Sequence, residues 1–223
     1  MIRLRVDDFP HTSRREPQHT LDSFRDFHQR LTQYLDGRRY LLGVVPGQCT
    51  PEDVLFLRNE TDVVVGMHGT DHDEQKLDRN GGNQFEPYLT RTAIADILKM
   101  NRQHLDDAIG RPVTIYMPPR NVFGLRELGA FEQVKKFTHF TTGPETSAEI
   151  QIHHKAIHSQ KPHQYGRTDE LLNLGSHFVL IEQAQTQDVV LTLHWTWEVN
   201  IGLSHMERFF SLIDKELFAD FDE

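Results

Sequence analysis

The sequence predicts an α/β protein whose strands form a parallel sheet, closed or nearly closed into a barrel. Apolar runs rich in β-formers alternate along the chain with helical patterns of about ten residues or more, the signature of βαβ units. The 223 residues suit a barrel better than a short open sheet. No repeat, low-complexity tract or linker divides them, so residues 1–223 read as one domain.

Taken in order, Ile2–Val6 alternates apolar residues with Arg3 and Arg5, the period of a strand with one wet face. Helical spacing follows over Leu21–Leu35. Tyr40–Val45 reads as the second strand, Pro51–Leu57 as a helix with proline in its first turn, and Asp62–Met67 as the third strand. Pro87–Ile109 and Arg126–Lys136 read as helices on either side of a strand over Val113–Met117. His139–Thr142 is the next strand, and Gly143–Arg167 reads as a long polar, irregular stretch. A helix over Thr168–Ala184 leads to a last strand, Val189–His194. The closing helix, Ser204–Phe218, has Ser204 and Glu207 placed as a capping box.

Composition removes several function classes. A net charge of −9 argues against nucleic acid or an anionic membrane as partner, because phosphates require a basic surface. The single cysteine, Cys49, excludes an intrachain disulfide framework and reads as a small buried hydrophobe. No apolar run reaches membrane-spanning length. The opening MIRLRVDD lacks the layout of a secretory signal, so the expected location is the cytoplasm.

Functional groups of α/β folds gather at the C-terminal ends of the strands, and here those ends are polar. The first ends in Asp7-Asp8, whose carboxylates must point to opposite faces. The third ends in HGTDH, placing His68 and His72 one helical turn apart, a spacing that can grip a metal from two points. The fourth ends in Pro118-Pro119-Arg120-Asn121, and the last in His194-Trp195. Two histidines plus one carboxylate leave coordination positions open, as catalytic metals require.

VDD, HGTDH, PPR and LTLH, in this order and over nearly the whole chain, resemble the ordered motifs of the polysaccharide deacetylases, the NodB-homology or carbohydrate esterase family 4 group. The resemblance implies a distorted, seven-stranded (β/α) barrel, a divalent metal and hydrolysis of the N-acetyl group of an amino sugar. It assigns Asp7 as general base, Asp8, His68 and His72 as metal ligands, and His194 as general acid. It also implies the backbone N–H of Arg120 as the donor to the oxyanion. Zinc is the expected ion, with cobalt, nickel, manganese and iron compatible with such ligands. An N-acylated amino sugar is the expected partner, as a precursor or component of a surface polysaccharide.

The chain departs from the family pattern in places. Met117 stands where an arginine usually contacts the base, Arg120 stands where an aromatic residue usually follows the prolines, and Thr192 replaces a leucine. No counterpart is evident for the aspartate that tunes the acid histidine. Arg14 and Arg15 are candidates for binding an anionic substrate group, and His153, His154, His158 and His163 crowd the polar stretch. Trp195 and Trp197 are candidates for stacking on a sugar, or for packing under the last helix. Asp71, Asp73 and Glu74 read as solvated acids, one of which could orient an imidazole. Two rival functions share these residues. A non-haem iron oxygenase uses the same two-His-one-carboxylate set but needs no acid/base pair. An inactive carbohydrate-binding module would explain Met117.

Overall fold

The computed structural model describes residues 1–10, 18–141 and 162–221, and the backbone alone of 156–157. Arg14, Arg15, His153, His154 and His158 lie outside them. The strands are β1 (Ile2–Phe9), β2 (Tyr40–Val44), β3 (Val63–His68), β4 (Ile115–Met117), β5 (His139–Thr141), β6 (Ala156–Ile157), β7 (His163–Tyr165) and β8 (Val189–His194). They form one sheet ordered β6-β5-β4-β3-β2-β1-β8-β7. The ladders of β1 with β8, β3 with β4, β4 with β5, β5 with β6, and β7 with β8 are all parallel. Seven strands have three residues or more, and β6 has two. With helices between the strands, this is the distorted (β/α) barrel class that the sequence predicts.

The helices are α1 (Leu21–Leu35), α2 (Pro51–Asn59), α3 (Glu74–Arg79), α4 (Arg91–Ile109), α5 (Leu125–Phe131), α6 (Thr168–Asn173), α7 (Ser176–Thr186), α8 (Trp195–Ile201) and α9 (Leu203–Ser211). Internal contacts divide the chain into two compact units. The first comprises Met1–Gly43, Glu60–Val64 and Lys161–Glu223, and the second Val44–Asn59 and Val65–Gln160.

In the first unit, β1 and β8 are fully paired from Ile2↔Val189 to Asp7↔His194. Such central parallel strands bury both faces. That overturns the wet face expected for β1: Arg5 is 1% exposed, and only Arg3 is half-buried. α1 begins with Thr20 as N-cap and Ser23 closing a capping box. It buries Phe24, Phe27, His28, Leu31 and Leu35, one stripe at helical spacing. Phe24 packs on Phe9 and edge-on to Trp195. In the second unit, an aromatic cluster of Tyr116, Phe123, Phe131, Phe137 and Phe140 seats β4 and β5 against α5.

Helix ends depart from expectation where local chemistry outweighs periodicity. Thr90 caps α4, so that helix starts at Arg91 rather than Pro87. Gly175, at φ 68, breaks the predicted Thr168–Ala184 helix into α6 and α7. α5 stops at Phe131, short of Lys136. The closing helix starts after Gly202 and ends at Ser211, so Ser204 lies inside it and caps nothing. The stretch read as irregular contains β6 and β7, and α3 and α8 are additional helices.

Candidate active site

Asp7, Asp8 and His194 lie in the first unit. Asp7 and His194 are register partners at the ends of neighbouring strands. The Asp7 side chain shares a strand face with Arg5, two residues back. Arg5 Nε donates to one carboxylate oxygen and Nη2 to the other, both at 2.7 Å. With Arg5 1% and Asp7 3% exposed, this is a buried, bidentate pair. Asp7 thus has the arginine partner that Met117 does not offer, supplied from its own strand.

Asp8 sits at φ 68, in the left-handed region. The register of β1 with β8 ends at Asp7, one residue before it. His194 Nε2 lies 3.3 Å from Asp8 Oδ2. The imidazole stacks on Trp197 at 4.2 Å between ring centroids and 20° between planes, and Tyr165 meets it edge-on at 5.3 Å. Its Nδ1 is buried without a hydrogen-bond partner among the described residues. Trp195 is buried, its indole N–H donating to the Asp8 carbonyl at 2.9 Å, and so it packs rather than presenting a face. Trp197, in contrast, lines a cavity of about 290 Å³ with Arg167, Glu170, Asn200 and Ile201.

His163 comes from β7, its Nε2 2.6 Å from the Thr192 hydroxyl. Burial and the nearby Arg5 guanidinium hold its pKa down to about 4. It is a neutral, packed histidine.

His68, His72 and Arg120 lie in the second unit. His68 ends β3 opposite Met117 and is buried. Gly69 follows at φ 67, where a Cβ would come within 2.5 Å of Pro119 Cγ, so the turn that returns the chain to His72 accepts only glycine. The His68 and His72 rings lie 5.0 Å apart. His72 Nδ1 is 3.0 Å from Glu74 Oε1. That contact with His72, with help from Arg120, pulls the Glu74 pKa down to about 2. Glu74 is therefore the acid that orients an imidazole, while Asp73 caps α3 and Asp71 pairs with Lys76 at 2.6 Å.

Arg120 adopts φ 51, and its guanidinium is held by Glu74 and, at 2.7 Å, by Asp78. It is committed to α3 rather than to Asp7. Cys49 is part-buried, its thiol donating to the Val45 carbonyl and pushed up to about 12 by burial. An inert thiol of this kind matches its sequence reading.

Arg5 is the residue that sequence reasoning missed. Its place two residues before Asp7, on the same face of the strand, was the available signal. Glu198 was also unmarked: fully buried in α8, it accepts from the backbone N–H of Thr168 at 2.9 Å and from its hydroxyl.

The described residues include His/Asp groups that could hold a metal ion. No helix among them is long and apolar enough to cross a membrane. No family model matches the chain, and no curated protein matches it in sequence. Solved structures do match. A family 4 carbohydrate esterase from Streptomyces lividans, in complex with acetate, is 14% identical, with a TM-score of 0.57 over 99% of this chain and 91% of its own. A polysaccharide deacetylase from Bacillus cereus is 14% identical, at 0.56 over 100% and 92%. A variant of the peptidoglycan deacetylase PdaC from Bacillus subtilis is 12% identical, at 0.51 over 98% and 85%. By its strand order and these likenesses, the chain has the fold of the carbohydrate esterase family 4 polysaccharide deacetylases.

Proposed function

We propose that this protein is a metal-dependent hydrolase that removes an N-acyl group, foremost N-acetyl, from an amino sugar of a surface polysaccharide or its precursor. The observation that carries the reading is the pairing of Asp7 with His194 in register, with Asp7 held from behind by Arg5. Hydrolysis of an amide needs an ionised base and a separate proton donor for the departing amine. An oxygenase needs neither.

Asp8, His68 and His72 would hold the ion. The donor set fits a divalent cation: one carboxylate, two imidazoles, and a Glu74 contact that fixes the His72 tautomer. When bound, such an ion supplies Lewis-acid activation of water and of the acyl carbonyl. Zinc suits these ligands, as do cobalt, nickel, manganese and iron.

The chain's own groups do the rest. Asp7 takes the proton of the attacking water, and the Arg5 fork holds that carboxylate in place. The backbone N–H of Arg120 donates to the oxyanion as the carbonyl becomes tetrahedral. His194 gives its proton to the amine as the C–N bond breaks, and Trp197 holds the ring in place. Trp197 and the cavity beside it offer an aromatic face and polar groups to a sugar ring.

The test is acetate release from N-acetylated amino sugars presented free, nucleotide-linked and polymeric, with and without chelator. Release that chelation stops and zinc or cobalt restores supports the proposal. No release from any of them under either condition overturns it.

A further inference from the structure

We propose that Gln84, which no motif marks, is a positioning residue for His68 and His72: its buried side-chain amide fixes the turn between these two metal ligands. The inference rests on the reading of the two histidines as ligands, and on no other step of the proposed reaction.

Gly69, Thr70 and Asp71 separate the histidines, whose rings stand 5.0 Å apart. The connection is a turn rather than a helix, with Gly69 at φ 67 and His72 at φ 47. A left-handed conformation at a residue such as His72 persists only where the surroundings over-determine it. Hydrogen bonds do so here. The Gly69 N–H donates to the Met117 carbonyl at 3.0 Å, and the Thr70 carbonyl accepts from the Gly47 N–H at 2.9 Å. A side chain holds the middle of the turn. The Thr70 N–H donates to Gln84 Oε1 at 2.9 Å, and the Thr70 hydroxyl donates to the same atom at 3.3 Å.

Gln84 is 5% exposed and Thr70 8%, so a bond lost between them leaves a buried donor without its acceptor. The orientation of the amide is itself determined. A backbone N–H only donates, so the carbonyl oxygen of Gln84 faces Thr70 and its NH2 donates to the Tyr116 hydroxyl. Tyr116 is fully buried on β4, the strand that pairs with the one ending in His68. Gly69 fits against the same oxygen, because a Cβ there would lie 2.8 Å from Gln84 Oε1. Contacts therefore run from the sheet, through Tyr116 and Gln84, to the turn that carries both imidazoles. Groups that orient ligands without touching the ion are worth about 10- to 100-fold in metal affinity.

The test is titration of the metal-free chain with zinc against a chromophoric chelator, with melting measured on the same metal-free proteins. The Kd compared is that of the zinc lost in Asp8→Asn. Gln84→Leu removes the acceptor from Thr70 and should bind zinc about 10- to 100-fold more weakly. Gln84→Ala should show the same loss, should leucine not be accommodated. Gln84→Glu keeps an oxygen facing Thr70 and should bind at least as tightly as the wild type. Tyr116→Phe removes only the far partner, so it should lose stability while holding its zinc; a merely structural role would move it together with Gln84→Leu. Zinc binding is read without substrate, so an absence of acetate release leaves this result standing. Wild-type affinity in Gln84→Leu and Gln84→Ala overturns the proposal alone. So does Gln84→Glu weakened as much as Gln84→Leu. A wild-type chain that binds no zinc overturns the ligand assignment as well.

Discussion

Replacing Arg5 by methionine tests the proposed base most directly. Methionine keeps the apolar stem in the packed strand but leaves the Asp7 carboxylate, 3% exposed, without the fork that donates to both its oxygens. Removing one partner of a buried ion pair costs about 3–5 kcal/mol, because the remaining charge stays desolvated. For a chain of this length that is a fall of about 6–20 °C in melting temperature. The double variant Arg5→Met/Asp7→Val removes both charges and suits a strand interior, so it should recover most of the loss. Buried pairs replaced as a unit are often neutral to stability. Urea unfolding followed by tryptophan fluorescence measures all three proteins, and acetate release measures the first. Arg5→Met should lose activity while still binding metal, since its partner is the base and not a ligand. The reasoning fails if Arg5→Met unfolds within about 1 kcal/mol of the wild type, if the double variant is no more stable than Arg5→Met, or if Arg5→Met retains full activity.

Three further outcomes are expected. Asp7→Asn should keep its metal and lose about 10² to 10⁴ in kcat, the usual worth of a general base. Asp8→Asn should lose most of its metal, because two neutral imidazoles remain; equal metal loss in both variants would refute the division of labour. Glu198 gives a pH signature, because burial raises its pKa from 4.5 to about 7. The folded chain keeps a proton there that the unfolded chain releases, so this group's contribution is complete below pH 4.5 and is lost as pH rises through 7. The total is about 3 kcal/mol. Glu198→Gln should abolish it, being the more stable protein at pH 8 and near parity at pH 4.5. Parallel stability curves for the two proteins would count against the assignment.

Much of the fold was legible because long periodic elements depend on burial, which sequence encodes directly. α1 and β8 fall on the residues that the pattern marks. What was not legible depends on single-residue chemistry or on pairing at a distance. Thr90 and Gly175 set helix ends through a cap and a left-handed turn, which periodicity does not register. β7 is a three-residue polar strand, and it is defined by its ladder with β8 rather than by its own composition. Arg5 illustrates the same limit in the candidate site. Alternation alone reads it as a solvent-facing residue, and only the flanking parallel strand turns that face into core. A tuning carboxylate for His194 could not be found in the sequence, and its stacking on Trp197, three residues on, carried no motif.

Backbone strain offers a view of the site that no motif carries. Among the described residues, five non-glycine residues have positive φ: Asp8, Asp36, His72, Arg120 and Asn121. Asp36 is accounted for by the left-handed C-cap of α1. The other four fall at or just beyond the ends of β1, β3 and β4, where the proposed ligands and oxyanion donor lie. Such conformations cost about 1–3 kcal/mol each and persist where the surrounding structure over-determines them. Aspartate and asparagine tolerate this region better than alanine does. Asp8→Asn is therefore a probe of charge alone, whereas Asp8→Ala would mix lost ligation with strain. The strain also explains why Asp8 can differ in role from its neighbour. A regular strand would only send the two carboxylates to opposite faces. The left-handed turn at Asp8 leaves Asp7 in the ladder, opposite His194 and gripped by Arg5, and releases Asp8 from it.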